Sequence, residues 1–257
     1  MCIRDRYYVL SRGDSFSQMA LNILHIPVNF GCEIGHLWYI YMLIGLYLVT
    51  PIISPWLQQA SKRELEGYLG LWIITTFLPY IHLVYPEVLG EAFWNDTPLL
   101  YYFTGFIGYF ILGYYLKRFG YPSAALSWII LIVGFALSAG IFCSRIDTVP
   151  TVPELELSWG FCTVNVFLMT LGLFSLIGRL SLKGKNAACK LLSDISIKSY
   201  GMYLAHILFL NFYYGLFKSI SDAAYVTIPL IAVCTFITVY IFVYLLSYLP
   251  KSKYIIG

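Results

Sequence analysis

The chain has 257 residues, of which 60% are hydrophobic, 18% are aromatic and only 11% are charged, and its mean hydropathy is +0.76. A soluble globular domain carries roughly 25% charged residues, so this composition excludes that class and predicts an integral membrane protein. The net charge of +3 is small, and we expect no nucleic-acid partner. The six cysteines form no C-x-x-C pair, so they are interpreted as packing residues, and no metal or redox site is predicted.

Residues 1–34 precede the first membrane span. Residues 1–6, M-C-I-R-D-R, lack the apolar region of a signal peptide and resemble translated adapter sequence, so we expect the natural N-terminus to lie upstream. Residues 7–34 contain Arg12, Asp14 and Glu33 around a short apolar run that Pro27 interrupts. This stretch is too short to span a membrane and is predicted to be an external or interfacial lead-in.

Seven long blocks without Asp, Glu, Lys or Arg follow this lead-in. The first reads GHLWYIYMLIGLYLVTPIISPW, and at 1.5 Å per residue it is long enough to cross a hydrocarbon core of about 30 Å. The seven predicted spans are 35–56, 67–85, 98–116, 126–143, 159–178, 199–217 and 225–249. The sequence therefore predicts an all-α, polytopic transmembrane helix bundle over 35–257, within a single membrane-embedded domain over 1–257.

The loops between these spans differ in charge. Basic residues follow the first, third, fifth and seventh spans: Lys62, Arg63, Lys117, Arg118, Arg179, Lys183, Lys185, Lys190, Lys198, Lys251 and Lys253. The alternate loops contain most of the acidic residues: Glu87, Glu91, Asp96, Asp147, Glu154, Glu156 and Asp222. Because cytoplasmic loops are enriched in Lys and Arg, we expect the C-terminus to be cytoplasmic and residues 1–35 to be external.

Aromatic and glycine residues also follow a pattern along the spans. Tyr and Trp residues near span ends are predicted to be interfacial anchors: Trp38, Tyr39, Tyr41, Trp72, Tyr80, Tyr101, Tyr102, Tyr114, Tyr115 and Tyr248. Five glycines are expected to allow close helix packing: Gly105, Gly108, Gly113, Gly134 and Gly140.

Histidines are the ionisable candidates at membrane depth. His206 lies seven residues after Ser199, roughly 10 Å from the cytoplasmic face, and it is either a structural hydrogen-bonding residue or a catalytic or substrate-binding one. His36 lies near the external surface, three residues after Glu33, whose carboxylate could orient the imidazole to bind or deprotonate a hydroxyl. The alternative for His36 is a polar cap at the mouth of the helix, and His82 is interpreted as interfacial.

Five basic residues lie between the fifth and sixth spans: Arg179, Lys183, Lys185, Lys190 and Lys198. Membrane orientation alone accounts for such a cluster. The same charges could also attract an anionic cofactor, such as the diphosphate of coenzyme A, or an anionic membrane lipid. No Asp, Glu, Lys or Arg lies within a predicted span, which argues against an ion-coupled transporter.

Three segments carry a resemblance to a known family. HLWYIYMLIGLYLVTPII at 36–53, GYFILGYYL at 108–116 and SYGMYLAH at 199–206 resemble the integral-membrane acyltransferase family 3, bacterial enzymes that O-acetylate surface polysaccharides and related glycans. The resemblance implies a ten-helix bundle with both ends inside, of which these would be the last seven helices. It also implies acyl-CoA, such as acetyl-CoA, as donor, a sugar hydroxyl as acceptor, and a principal catalytic Arg and His on a first helix upstream of this sequence.

The resemblance also implies roles for individual residues. His36 and His206 are the catalytic candidates, with Glu33 beside His36, and the expected substrate-binding residues are Trp38, Tyr41, Tyr47 and Tyr203. His36, at the external face, suits the acceptor side. His206 and Arg179, nearer the cytoplasm, suit the acyl-CoA side, with Lys183 and Lys185 as further cofactor-binding residues. The leading hypothesis is an O-acyltransferase of the bacterial inner membrane that acts on a glycan or lipid-linked sugar. The alternatives are a transporter or flippase of lipid-linked or amphiphilic sugars, and a structural membrane subunit.

Overall fold

The computed structural model describes residues 38–90, 99–180, 187–218 and 223–249, with the single positions 17, 21 and 97. All regular secondary structure in these ranges is helical, which confirms the all-α prediction. The α-helices are α1 (Trp38–Gln59), α2 (Lys62–Thr75), α3 (Leu78–Ile81), α4 (Ile107–Phe119), α5 (Ala124–Arg145), α6 (Val152–Leu155), α7 (Val164–Gly178), α8 (Ala187–Lys218) and α9 (Ala224–Leu246). Short 3-10 helices lie at Val88–Gly90, Tyr101–Phe103 and Glu156–Trp159.

The chain divides into two compact units. The bundle unit is Tyr39–Ser181 and contains α2 to α7 and all of α1 after its first residue. The hairpin unit is Met1–Trp38 with Leu182–Gly257, and in its described part α8 packs against α9. Within the bundle unit the most extensive helix pairing joins α5 and α7. The single domain over 1–257 stays a prediction.

Four described segments are long and apolar enough to cross a membrane: α1, α5, Glu156–Gly178 and α9, each 22 or 23 residues long. Helices α2 and α4 have 14 and 13 residues, fewer than the roughly 20 that a span needs. Helix α8 has 32 residues, but its first half carries Lys190, Asp194 and Lys198. Each of the seven predicted spans thus overlaps an α-helix. Four of the described segments are long enough to be complete spans, as expected for a polytopic helical membrane bundle.

The fourth and seventh predicted spans agree with α5 and α9 to within three residues at each end. Helix α5 begins where the hydroxyl of Ser123 accepts the backbone N–H of Leu126 at 3.2 Å, and it ends at Arg145. A polar cap followed by a long apolar run is a strong local signal for a helix start, which explains the agreement.

The second predicted span, 67–85, is not one continuous helix. Helix α2 begins earlier, at Lys62, because Ser61 and Glu64 form a reciprocal capping box. It ends at Thr75, and the separate helix α3 contains Pro79 in its first turn. Proline has no backbone N–H to extend a preceding helix, so the prediction of one uninterrupted helix over 67–85 is wrong.

The third and fifth predicted spans each begin before their main α-helix, although the fifth lies within the candidate span Glu156–Gly178. A 3-10 turn at Tyr101–Phe103 precedes α4, and Gly105 adopts a φ of +83°, which interrupts the helical path. In the fifth span, the 3-10 helix Glu156–Trp159 precedes α7. Hydropathy alone does not register these interruptions, because the interrupting residues are apolar or small.

The sixth predicted span begins too late. Helix α8 starts at Ala187, twelve residues before the predicted start at 199. Lys190 and Lys198, which the sequence suggested were loop residues, therefore lie on a helix. The basic residues after the third span are likewise helical, and Arg118 in the last turn of α4 donates from Nη1 to the carbonyls of Leu57 and Ala60 at 3.0 and 3.1 Å. Arg118 thus binds the C-terminal end of α1.

Trp72 lies at the centre of the bundle unit and is fully buried. Its indole Nε1–H donates to the carbonyl of Gly105 at 3.0 Å, and its ring makes edge contacts with Tyr109 and Phe167 at centroid distances of 4.8 and 5.3 Å. The prediction that Trp72 is an interfacial anchor is therefore wrong. The missing side chain of Gly108 makes this packing possible, since a Cβ there would come within 2.0 Å of the indole.

The glycines predicted to allow close packing divide into two groups. At Gly134 a Cβ would lie 2.8 Å from the carbonyl of Asn165, so α5 and α7 approach closely and the prediction is confirmed there and at Gly108. At Gly140 a Cβ would meet nothing within 4 Å, and at Gly113 it would reach one atom at 4.0 Å. The prediction is wrong at these two positions, which leave open space beside their helices.

Candidate functional site

Four of the predicted site residues lie outside the described residues: Glu33, His36, Lys183 and Lys185. Their roles stay predictions. The other six lie on α1, at the end of α7 and on α8. Arg179 belongs to the bundle unit and His206 to the hairpin unit, so each is described within its own unit.

Helix α1 carries three predicted substrate-binding residues. Trp38 and Tyr41 are three residues apart and half-buried, and this spacing places them on one face of the helix. Tyr47 is nine residues from Trp38, about half a turn out of phase at 3.6 residues per turn, and it is 67% exposed. Helix α1 therefore groups two of these aromatic side chains and presents Tyr47 on the opposite side.

His206 is held by a hydrogen bond to its own helix. Its Nδ1 lies 2.6 Å from the backbone carbonyl of Tyr203, and the two rings have a centroid distance of 5.6 Å. A carbonyl oxygen only accepts hydrogen bonds, so this contact assigns the proton to Nδ1. In the neutral imidazole the lone pair then belongs to Nε2. The structure brings Tyr203 and His206 together through this contact, which leaves the lone pair of the neutral ring on Nε2.

Apolar contacts between α8 and α9 lie on either side of His206. One turn before it, Met202 is buried among Val239 and Val243. One turn after it, Phe209 contacts Phe242 at a centroid distance of 5.3 Å. His206 itself is half-buried. These contacts restrict the movement of α8 on both sides of the imidazole and keep bulk water from the adjoining helix face.

A second polar group of the hairpin unit was not identified from the sequence. Lys198 forms an ion pair with Asp194, and the hydroxyl of Tyr240 donates to Asp194 Oδ2 at 2.7 Å. The Lys198 ammonium also lies 5.2 Å from the ring centroid of Tyr244. We call these four residues the Asp194 cluster. The hydrogen bond from Lys198, followed by that from Tyr240, holds the pKa of Asp194 below its usual value.

The Asp194 cluster lies apart from His206. Lys198 precedes His206 by eight residues, about 12 Å along the helix axis at 1.5 Å per residue, so its ammonium is not in contact with the imidazole. The effect of the cluster is to join α8 to α9. The sequence did contain a signal for this cluster, because Asp194 and Lys198, like Tyr240 and Tyr244, are four residues apart and would share a helix face. The signal could be used only if α8 was known to begin before residue 199.

Asn165 organises the largest buried polar network of the described bundle unit. Its Nδ2 donates to Ser138 Oγ at 2.6 Å and to the carbonyl of Ser158 at 2.8 Å, and its Oδ1 accepts from the Tyr80 hydroxyl at 2.6 Å. Both amide hydrogens and the carbonyl oxygen of this fully buried side chain are therefore used. The network has no charged member, and its geometry suits a structural role.

A family model for an acyltransferase domain, Acyl_transf_3, matches residues 7–248. The chain belongs to this family. The match covers nearly the whole sequence and both compact units, and it confirms the resemblance carried by the three segments at 36–53, 108–116 and 199–206. Searches of curated proteins and of solved structures gave no match.

The acyltransferase requires a base to deprotonate its acceptor and dipoles to stabilise a tetrahedral oxyanion. Its described part contains two histidines, His82 and His206. His82 forms the C-terminal cap of the four-residue helix α3, whereas His206 lies in the middle of a long helix with its tautomer assigned by a hydrogen bond. Of these two histidines, His206 has the geometry that suits a base.

Arg179 of the acyltransferase, the one described residue of the three predicted to bind the cofactor, contacts protein carbonyls. It follows the last turn of α7, and its Nη2 donates to the carbonyls of Tyr121 at 2.9 Å and of Pro122. These bonds join the end of α7 to the connection between α4 and α5. The guanidinium carries five N–H donors, so binding these carbonyls does not use its full hydrogen-bonding capacity.

Proposed function

We propose that this acyltransferase transfers an acetyl or other small acyl group from acyl-CoA to a hydroxyl of a cell-surface glycan or lipid-linked sugar, in the inner membrane of a bacterium. Family membership supports the acyl-transfer chemistry and favours an enzyme over the transporter, flippase and structural-subunit alternatives. The hydrogen bond between His206 Nδ1 and the carbonyl of Tyr203 is the observation that carries the assignment of the base.

In the proposed reaction, His206 Nε2 accepts the proton of the acceptor hydroxyl while the hydroxyl oxygen forms a bond to the thioester carbonyl carbon. Backbone and side-chain dipoles of the bundle stabilise the resulting oxyanion. When the carbon–sulfur bond breaks, the imidazolium returns the proton to the departing CoA thiolate. Arg179, Lys183 and Lys185 attract the CoA phosphates, and Glu33 and His36 serve the acceptor side.

We also propose that the C-terminus is cytoplasmic and that residues 1–35 are external. The basic residues at the C-terminal ends of α4 and α7, Lys117, Arg118 and Arg179, support this orientation. A reporter enzyme that is active only outside the cytoplasm tests it when fused at Asp96. We expect activity at this position, and a silent fusion with normal expression contradicts the orientation.

Substitution of His206 tests the proposed base. In the full-length chain, reconstituted with acetyl-CoA and an oligosaccharide acceptor, we expect His206→Asn to lower acyl transfer by about 10²–10⁴-fold, the usual contribution of a general base. The Asn amide can still donate from the position of Nδ1, so the bond to the Tyr203 carbonyl is retained while the base is lost. Release of free CoA thiol and acetylation of the acceptor are the measurements.

Two further variants complete this test. His206→Ala loses both the base and the hydrogen bond to Tyr203, so we expect an equal loss of transfer with lower thermal stability than His206→Asn. His82→Ala removes the other described histidine and should keep wild-type transfer. Wild-type rates in His206→Asn exclude this residue as the base, and a full-length wild-type protein that transfers no acyl group from CoA contradicts the proposed function.

A further inference from the structure

Two cavities of the bundle unit meet at Gly113 on α4. The first, of about 330 Å³, lies between α4 and α7, and its lining is mainly apolar and includes Phe106, Tyr109, Phe161 and Phe174. The second, of about 290 Å³, lies between α1 and α4 and includes the polar side chains of Ser54, Gln58, Tyr114 and Lys117. Gly113 lines both. We call the two cavities together the Gly113 groove.

The absence of a side chain at Gly113 leaves open space at the residue that the two cavities share. A Cβ at this position would approach one atom, Phe174 Cζ, at 4.0 Å. Gly108, one turn earlier on the same helix, shows the contrast, because a Cβ there would come within 2.0 Å of the Trp72 ring. Helix packing requires the glycine at 108 but not at 113, where a larger side chain would project into the groove.

The groove has the length of one membrane leaflet. Along α4 it extends from Phe106 to Lys117, eleven residues or about 16 Å at 1.5 Å per residue. The hydrocarbon core of a bilayer is about 30 Å thick, so one leaflet is about 15 Å deep. Phe161 and Phe174 are 55% and 45% exposed, so the apolar part is accessible from the side of the unit.

The two ends of the groove differ in charge. At one end Lys117, in the last turn of α4, lines the cavity with Gln58 and Tyr114. At the other end, beyond Gly113, the lining is aromatic and aliphatic. The ligand that matches this arrangement is an amphiphile with a negative charge at one end and a hydrocarbon chain about one leaflet long. The pantetheine arm of acetyl-CoA is also elongated and has an anionic end, but its amide groups do not match the mainly apolar lining between α4 and α7.

We propose that the Gly113 groove binds one acyl chain of an anionic phospholipid, with the lipid phosphate at Lys117. The chain lies in the cavity between α4 and α7 and passes Gly113 to reach the polar cavity beside α1. The residues that line the groove belong to the bundle unit, whereas His206 belongs to the hairpin unit. The inference depends on the membrane location of the chain and not on the proposed acyl transfer.

Photo-crosslinking tests the site. The full-length chain is reconstituted in vesicles of phosphatidylcholine and phosphatidylglycerol that contain a phosphatidylglycerol with a photoactivatable acyl chain, and labelled peptides are mapped by mass spectrometry. We expect labels to concentrate on α4 and α7 around Gly113 and Phe174. Gly113→Leu should reduce this labelling to the level on the exposed face of α5. Gly140→Leu is the matched control, because Gly140 also has open space around its Cβ position, and it should leave the labelling unchanged.

The phosphate contact is tested by changing the charge. Lys117→Gln should lower the labelling by phosphatidylglycerol about fivefold, the effect of one lysine near an anionic lipid surface. Lys62→Gln removes a lysine that faces Glu66 at 3.7 Å and should have no effect. Unchanged labelling in Gly113→Leu, or equal labelling over all exposed helices, contradicts the proposal. Displacement of the lipid label by a long-chain acyl-CoA also contradicts it, because the groove would then belong to an acyl donor.

Discussion

The bundle unit and the hairpin unit bury polar side chains in different ways. In the bundle unit the neutral amide of Asn165 is fully buried and all its hydrogen-bonding groups are used. In the hairpin unit the part-buried polar side chains include three ionisable ones, Asp194, Lys198 and His206. Neutral, fully satisfied networks make a fold rigid, whereas ionisable groups in restricted surroundings are what acid–base chemistry needs. The comparison predicts that substitutions in the bundle unit mainly change stability, and the proposed base, His206, belongs to the hairpin unit.

The largest expected effect on stability is at Trp72. Trp72→Ala removes a fully buried indole together with its hydrogen bond to the Gly105 carbonyl, so we expect it to lower the free energy of unfolding by about 3–5 kcal/mol. Denaturant unfolding of the purified chain in detergent measures this change. Trp128→Ala, at a position on α5 that is 55% exposed, should stay within about 0.5 kcal/mol of wild type. Similar losses in the two variants would show that the bundle unit has no specific core at Trp72.

A smaller effect is expected at Asn165. Asn165→Ala leaves the Tyr80 hydroxyl, Ser138 and the Ser158 carbonyl without their amide partner, and we expect a loss of about 2–3 kcal/mol. Asn211→Ala, at an exposed position of the hairpin unit, should have almost no effect in the same unfolding experiment. Acyl-transfer activity provides a second measurement of the difference between the two units, because folded Asn165→Ala should retain activity. If the Asn165→Ala protein folds but lacks activity, the bundle unit takes part in the reaction, and the proposed difference between the two units is wrong.

The smallest effect is expected at Asp194, and it depends on pH. Lys198 and Tyr240 lower the pKa of Asp194 in the folded chain, so the unfolded chain takes up this proton at a higher pH than the folded one. The resulting stabilisation is fully present above the ordinary Asp value of 3.8 and is lost as the pH falls through the lowered pKa. The unfolding temperature of wild type should therefore decrease more between pH 5 and pH 3 than that of Asp194→Asn.

Lys198→Met provides the second arm of this pH experiment. It removes the partner that lowers the pKa of Asp194 most, so it should also weaken the acid dependence. If wild type, Asp194→Asn and Lys198→Met lose stability equally on acidification, the Asp194 cluster does not join α8 to α9 in the way the hydrogen bonds indicate.

Local sequence signals predicted some helix ends and missed others. Ser123 before a long apolar run marks the start of α5 closely, since a cap and the helix it begins are adjacent in the chain. The start of α8 was missed because Lys190, Asp194 and Lys198 interrupt the apolar run in its first twelve residues. In the structure Asp194 accepts a hydrogen bond from Tyr240 of α9. Gly105 was predicted as a packing residue, although its positive φ marks a turn before α4. A glycine is compatible with both roles, so its identity alone does not distinguish them.

The sequence predicted only the part of the candidate site whose residues are close together along the chain. Tyr203 and His206 are three residues apart, and a helix is enough to bring the carbonyl of one to the ring of the other. Asp194 and Tyr240 are 46 positions apart, and no local pattern indicates that they meet. The role of Arg179 toward CoA stays a prediction, and its bonds to the carbonyls of Tyr121 and Pro122 were not foreseen.

The sequence by itself determined that this protein is a helical membrane protein and an acyltransferase, because apolar run length and family-specific residue patterns are properties of the linear chain. The tertiary structure decided which side chains are interior. Trp72, which resembles any interfacial aromatic in the sequence, is buried because Gly108 of another helix admits its ring. Helical periodicity indicates which residues share a face of a helix. The residues that pack against this face come from distant segments of the chain, so they depend on how the helices pack.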